Sequence, residues 1–187
     1  MVNQHSRKRP VHHCACGDHA WAVLTRGYVT LVSQEDAEFV GRWSWSTLAL
    51  PDGKLRAVRR ENRRGKGAFY YLHREILGAP DGMVVDHRNA DGLDNRRSNI
   101  RICTPAQNAR NQRVQRRPKS VGLKGVYHDR ERDKWQAYIT VSGKRKMIGR
   151  FRTAGEAAMA YDRMAIEMHG DFARTNASLG LLPTQPR

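Results

Sequence analysis

Asp86 and His87 stand side by side behind an apolar lead-in of Met83, Val84 and Val85. Asn99 and Asn108 follow, and all four side chains could converge if a strand pair folds back onto a helix. A carboxylate and an amide oxygen are hard donors suited to Mg²⁺ or Mn²⁺, which keep several waters and bind through substrate phosphates. A neutral imidazole beside them can take a proton from water. These are the parts that metal-assisted phosphodiester hydrolysis requires. The competing reading is an ordinary turn, because Asn89, Asp91 and Gly92 favour turns for backbone reasons alone. That reading accounts for the loop but not for the register of both later asparagines.

The flanking sequence supplies elements to hold these groups. Thr104-Pro105 reads as a helix start, with Thr as N-cap and Pro at the first helical position. Asn108 then falls in the first or second turn, where it can project toward Asp86 while the helix N-terminus favours a phosphate. Upstream, Tyr28 to Val32 is β-rich, and Ser33 is placed to cap a short helical turn bearing Ala37, Phe39 and Val40. Trp43 and Trp45 alternate with serines as on one buried sheet face, and Pro51-Asp52-Gly53 turns into a return strand from Leu55 to Arg60. Ala68 to Leu72 reads as a further strand and His73 to Gly78 as a short helix ended by glycine. Arg59, Arg63, Arg64 and Lys66 surround a Gly-containing loop that can grip phosphates or simply form a solvated hairpin tip. His73 reads either as a neighbour of the scissile phosphate or as a structural imidazole. Arg110 and Arg113 continue the basic surface, and Pro118 interrupts any longer helix, so 112–122 reads as a basic linker.

The 187 residues leave room for one or two small domains, and an apolar share of 39% keeps their cores thin. A net charge of +16, spread along the chain, favours an extended polyanion such as double-stranded DNA. No apolar run reaches the ~18 residues of a membrane span. No apolar segment follows Arg7-Lys8-Arg9, as a secretory signal would need. Three cysteines do not make a disulfide framework, which fits the reducing cytoplasm of a bacterial or phage-infected cell. Residues 1–20 form a basic arm in which His12, Cys14, Cys16 and His19 are donors suited to Zn²⁺. The C-x-C spacing is tight and no second pair follows nearby, so the sequence weighs toward a loosely packed leader over a zinc site. No obligate protein partner is evident.

Residues 123–176 form a second unit, followed by a short tail over 177–187. Trp135, Ala137, Ile139 and Val141 alternate with Gln136, Tyr138 and Thr140. Thr153 and Glu156 make a capping box for a helix whose Ala157, Ala160, Tyr161, Met164 and Met168 recur at helical spacing. Three antiparallel strands on one helix would leave one sheet face open.

Two resemblances sharpen this reading. Leu72-His73-Arg74, Val85-Asp86-His87, Asp94-Asn95-Arg96, Ser98-Asn99-Ile100-Arg101 and Asn108-Ala109-Arg110-Asn111 resemble the HNH endonucleases of phage and homing type with Asn as the last motif residue. The resemblance implies a ββα-metal fold over 21–111, with N-terminal antiparallel strands. It further implies that Asp86 and Asn108 hold one divalent cation, that His87 is the general base, and that Asn99 ties the loop and orients the imidazole. Lys124-Gly125-Val126, Trp135-x-Ala137-x-Ile139, Ile148-Gly149-x-Phe151, Thr153-x-x-Glu156-Ala157-Ala158-x-Ala160-Tyr161-Asp162 and Asn176 resemble the APETALA-two/ethylene-response-factor DNA-binding domain. That resemblance implies an exposed sheet face in the major groove, with Lys124, Tyr127, Tyr138, Thr140, Arg145 and Met147 at reading positions. Several positions that are Arg in the plant domains are Tyr, Thr or Met here, so the plant target sequence does not transfer. The expectation is an α+β chain acting as a divalent-metal-dependent DNA endonuclease. The alternatives are a DNA-binding regulator with a vestigial nuclease centre and a packaging protein built on a zinc-held arm.

Overall fold

The computed structural model describes residues 9–60, 67–110 and 122–182. The chain divides into two compact units, Met1–Pro105 and Ala106–Arg187. In chain order the elements begin with β1 (Val11–His13), β2 (His19–Val23), β3 (Val29–Ser33), α1 (Ala37–Gly41), β4 (Ser46–Ala49), β5 (Leu55–Arg60) and β6 (Phe69–Tyr71). There follow α2 (Leu72–Leu77), β7 (Val84–His87), β8 (Asp94–Asn95), β9 (Ile100–Cys103) and α3 (Pro105–Arg110). The remaining elements are β10 (Val126–Asp129), β11 (Lys134–Val141), β12 (Lys144–Phe151) and α4 (Ala154–His169). The fold is α+β, built from several small sheets and few helices. Among the described residues no helix is long and apolar enough to cross a membrane.

In the first unit β1, β2 and β3 are successive antiparallel neighbours, and β8 joins the far edge of β3 in parallel. A second sheet has the order β4-β5-β6, and β7 pairs antiparallel with β9. Residues 11–13 and 19–20, read from the sequence as part of an arm, are therefore strand residues. Val11 packs against the core, which is built from Ala20, Ala22, Val32, Val40, Trp45, Leu72, Ile76 and Ile100. The two buried alanines of β2 alternate with His19, Trp21 and Val23, as one covered face of a pleated strand requires.

Three local expectations need correction. Ser33 makes no helix cap; its Oγ accepts from the backbone N–H of Arg97 at 2.9 Å instead. Trp43 and Trp45 do not share a sheet face, because both precede β4. Trp45 is buried and donates its indole N–H to the Val40 carbonyl at 3.0 Å, whereas Trp43 stays exposed with the Arg59 guanidinium over its ring. Along α4 the buried stripe is Ala157, Ala158, Ala160, Tyr161, Asp162 and Ala165, and Met168 is exposed. Ala157 and Ala158 pack there with Val126 and Ala137, and Tyr161 and Ala165 with Ile139.

In the second unit the sheet order is β10-β11-β12, antiparallel throughout, with a register shift at Ala137/Tyr138. The period of two holds: Ala137 and Ile139 are buried toward α4, and Thr140 is exposed. The capping box forms as expected, Thr153 Oγ1 accepting from the Glu156 N–H while the Glu156 carboxylate accepts from the Thr153 N–H. Asn176 is fully buried and closes the unit. Its side chain accepts from the Lys124 N–H at 2.6 Å and donates to the Lys124 carbonyl at 3.1 Å and to Asp162 at 2.9 Å.

Candidate active site

Asp86 and His87 end β7, and both are buried. The antiparallel register sets Asp86 opposite Arg101 and His87 opposite Ile100. Arg101 exploits that pairing: its Nη2 and Nε donate to Asp86 Oδ2 at 2.6 and 2.9 Å. The two side chains retain only 9% and 6% of their exposure, so each charge needs the other.

The loop from Arg88 to Asn99 is fixed by its own amides. Ala90 adopts a left-handed φ of 65° and donates its N–H to the His87 carbonyl at 2.9 Å. Asn99 Oδ1 accepts from the Asn89 N–H at 3.0 Å, and its Nδ2 donates to Asn89 Oδ1 and to the Asp94 carbonyl. Asn99 thus bridges Asn89 and Asp94 within the loop. Asn95, which the sequence reading quoted only as part of a motif, hydrogen-bonds the imidazole.

The direction of each hydrogen bond around Asn95 follows from one fixed acceptor. Thr30 Oγ1 donates its single proton to the Leu93 carbonyl at 2.7 Å, so it can only accept from Asn95 Nδ2, also at 2.7 Å. The amide is therefore oriented with Oδ1 toward His87 Nε2, 3.0 Å away. Flipping it would set Oδ1 against an oxygen whose proton is already used. His87 Nε2 must then carry hydrogen, which makes Nδ1 the basic nitrogen. Thr30 and Asn95 are both completely buried, so water cannot disturb this chain. It depends on β8 lying parallel to β3 with Asn95 opposite Val32.

The electrostatics keep the imidazole neutral. Burial lowers the His87 pKa, and Arg56 lowers it further; the Asn95 hydrogen bond, Asp86 and Asp91 oppose them. His73, at the start of α2, lies edge-on to His87 with ring centroids 5.0 Å apart. Burial, then His87, Arg56 and Arg74, press its pKa down to about 3. Its Nδ1 is buried with no hydrogen-bond partner. The sequence reading passed over Arg56, whose Nη1 donates to its neighbour's carbonyl, Leu55 O, at 2.8 Å and which forms no ion pair with a carboxylate among the described residues. Gly92 is required here, since a Cβ would collide with the Arg56 guanidinium and the Leu55 carbonyl.

Asn108 lies on α3, which is separated from β9 by Thr104 alone. Of the basic loop, Arg63, Arg64 and Lys66 lie outside the described residues, as does Arg113; the side chain of Arg110 does too. Arg59 is engaged within the fold: it bridges to Glu75 at 2.6 Å and lies over the rings of Trp43 and Tyr70. In the second unit Tyr138 pairs across strands with Met147, and Thr140 with Arg145. The Arg145 guanidinium lies 4.4 Å from the Tyr127 ring and 3.9 Å from the Tyr138 ring. Lys124 is half-buried, and burial followed by Arg174 brings its pKa down to about 8. Near the N-terminus Cys14, Cys16 and His19 come together, but His12 stacks on Trp21 instead.

Comparison with known proteins agrees with these elements. Residues 70–110 match the family model described as HNH endonuclease. The chain is 34% identical over 97 residues to Protein 3.8 of Escherichia phage T7, covering 51% of this chain and 77% of that protein. It is also 34% identical over 97 residues to an uncharacterized HNH endonuclease of Acanthamoeba polyphaga mimivirus, covering 52% of this chain but only 49% of the relative. An ethylene-responsive transcription factor of Arabidopsis thaliana is 36% identical over 99 residues, covering 50% of this chain and 59% of the plant protein. With its buried Asp-His pair inside the matched segment, the chain belongs to the HNH endonuclease family and joins to it an APETALA-two-like segment.

Proposed function

We propose that the protein is a divalent-metal-dependent DNA endonuclease in which His87 acts as general base. The observation that carries this reading is the buried Thr30–Asn95 chain that fixes the tautomer of His87. A structural histidine needs a hydrogen bond, but not one whose direction leaves a chosen nitrogen basic. Burial keeps that nitrogen neutral near pH 7, the state in which it accepts a proton from water. The unpaired Nδ1 of His73 and the Arg56 cation suit a polar, anionic ligand beside His87, as a phosphodiester is. We assign Arg56 to the scissile phosphate, where a guanidinium suits developing negative charge.

By the sequence resemblance, Asp86 and Asn108 would be the residues that hold the metal, Mg²⁺ or Mn²⁺. Their oxygen donors fit a hard cation, and the charge of Asp86 is already held in place by Arg101. Bound there, the cation supplies positive charge for the phosphate under attack. His87 Nδ1 removes the proton from the attacking water, and Asn95 keeps the ring aimed as its charge rises. Asn99 holds the loop at the strand end.

In the second unit the open face of β10–β12 would lie in the major groove. Arg145, held over Tyr127 and Tyr138, would reach DNA beside Thr140 and Met147, with Lys124 at its margin. A supercoiled plasmid tests the whole reading. It should be cut with Mg²⁺ or Mn²⁺ and spared with EDTA, and His87→Ala should bind it yet leave it intact. Undiminished cutting by His87→Ala rejects the mechanism. One observation favours a DNA-binding regulator with a vestigial centre, namely that Arg101 occupies Asp86; metal-independent binding with no cleavage of any substrate would support it.

A further inference from the structure

Cys14, Cys16 and His19 sit at the tip of the β1–β2 hairpin, outside the site just described, and one donor atom from each lies within 4.8 Å of the other two. Cysteine is among the residue types most often buried, yet Cys16 is exposed and Cys14 only half-buried. Packing therefore does not explain them. The turn that gathers them is specific. The Cys14 N–H donates to the His19 carbonyl at 3.0 Å, closing the hairpin, and the Gly17 N–H returns to the Cys14 carbonyl. Gly17 has a φ of 78°, a conformation open to glycine and strained for a side chain. The Cys16 N–H points to Cys14 Sγ at 3.4 Å.

We propose that this hairpin tip is a binding site for one Zn²⁺ ion, held by Cys14 Sγ, Cys16 Sγ and His19 Nδ1. Two thiolates and an imidazole are soft and borderline donors, and they select Zn²⁺ over the hard cations suited to Asp86 and Asn108. The distance from Cys16 Sγ to His19 Nδ1 is 3.4 Å. Bonds of about 2.3 Å to sulfur and 2.0 Å to nitrogen, set at the tetrahedral angle, need about 3.5 Å. The two sulfurs stand 2.8 Å apart. They must separate by about 1 Å to accept a shared zinc, a rotamer adjustment within reach of side chains at an exposed tip. Water completes the tetrahedron. The ion would clamp β1 to β2 and so hold Val11 on the core, a structural role that stands whether or not the protein cuts DNA.

The test uses the full chain, stripped of metal under reducing conditions and titrated with Co²⁺. A sulfur-to-cobalt charge-transfer band should grow to saturation at one equivalent and be bleached by one equivalent of Zn²⁺, while Mg²⁺ leaves it unchanged. Cys14→Ser, Cys16→Ser and His19→Asn should each lose the band or weaken cobalt binding at least tenfold, whereas Cys103→Ser should keep it. Because a variant could misfold, far-UV circular dichroism checks each. On the wild-type chain, Zn²⁺ should also protect Cys14 and Cys16 from alkylation as read by mass spectrometry. No cobalt band, a band that survives Cys16→Ser, unchanged alkylation with zinc, or a Cys14–Cys16 disulfide in reducing buffer would each overturn the proposal.

Discussion

Truncating Asn95 removes the oxygen that holds His87 Nε2 and leaves Thr30 Oγ1 without its donor. Loss of a group that orients a catalytic residue typically costs about ten- to a hundredfold in activity. Asn95→Ala should therefore lower single-turnover plasmid cleavage by about that factor while gel-shift affinity stays level; equal losses in both would show that it acts only on the fold. His73 makes a second prediction. Its pKa falls from 6.5 to about 3, so between those values the unfolded chain binds a proton that the folded chain refuses. Stability should then fall as pH drops below about 6.5, by up to about 1.4 kcal/mol per pH unit for this group. His87 acts in the same direction. Denaturant titrations from pH 7 to pH 4 would measure the slope, and His73→Gln should make it shallower.

At the scale of elements, β7 and β9 are joined by a buried ion pair as well as by their ladder. Removing one partner leaves an unpaired buried charge, which costs about 3–5 kcal/mol. Arg101→Met should fall in that range by urea unfolding. Combining it with Asp86→Asn should recover most of the loss, since the charge left stranded is then gone. Failure of the double variant to recover would mean that Arg101 acts through packing alone. The helix and strand boundaries themselves were largely legible. Alternation located β11, the capping box located the start of α4, and Gly78, with a φ of 56°, ends α2 as its type predicts. Trp43 and Trp45 misled because alternation over a few residues also fits a turn that sends one ring inward and leaves the other outside.

For the molecule as a whole, the charge of +16 implies that the logarithm of DNA affinity should fall linearly with the logarithm of salt concentration. Each phosphate contact contributes about 0.9 to that slope. Arg145→Ala should therefore flatten it by about one contact, whereas Asp86→Ala should leave the slope intact and affect only cleavage. Fluorescence anisotropy across a salt series separates these outcomes, and an unchanged slope for Arg145→Ala would remove the β10–β12 face from the interface.

Residue types and spacing alone determined that the chain carries an acid, an imidazole and amides fit for phosphodiester chemistry, because hard donors and a neutral base are chemical properties that need no coordinates. Strand period and caps are local too, and so they could be read in advance. Only the tertiary structure decided which amide holds His87. Asn95 and Asn99 are alike in type and close in sequence, and what separates their roles is the parallel pairing of β8 with β3. That pairing brings Thr30 to Asn95 across a separation of 65 residues. Arg101 and Arg56 were hidden for the same reason, since in a chain with 34 lysines and arginines no single one stands out until the fold places it beside a carboxylate or an imidazole.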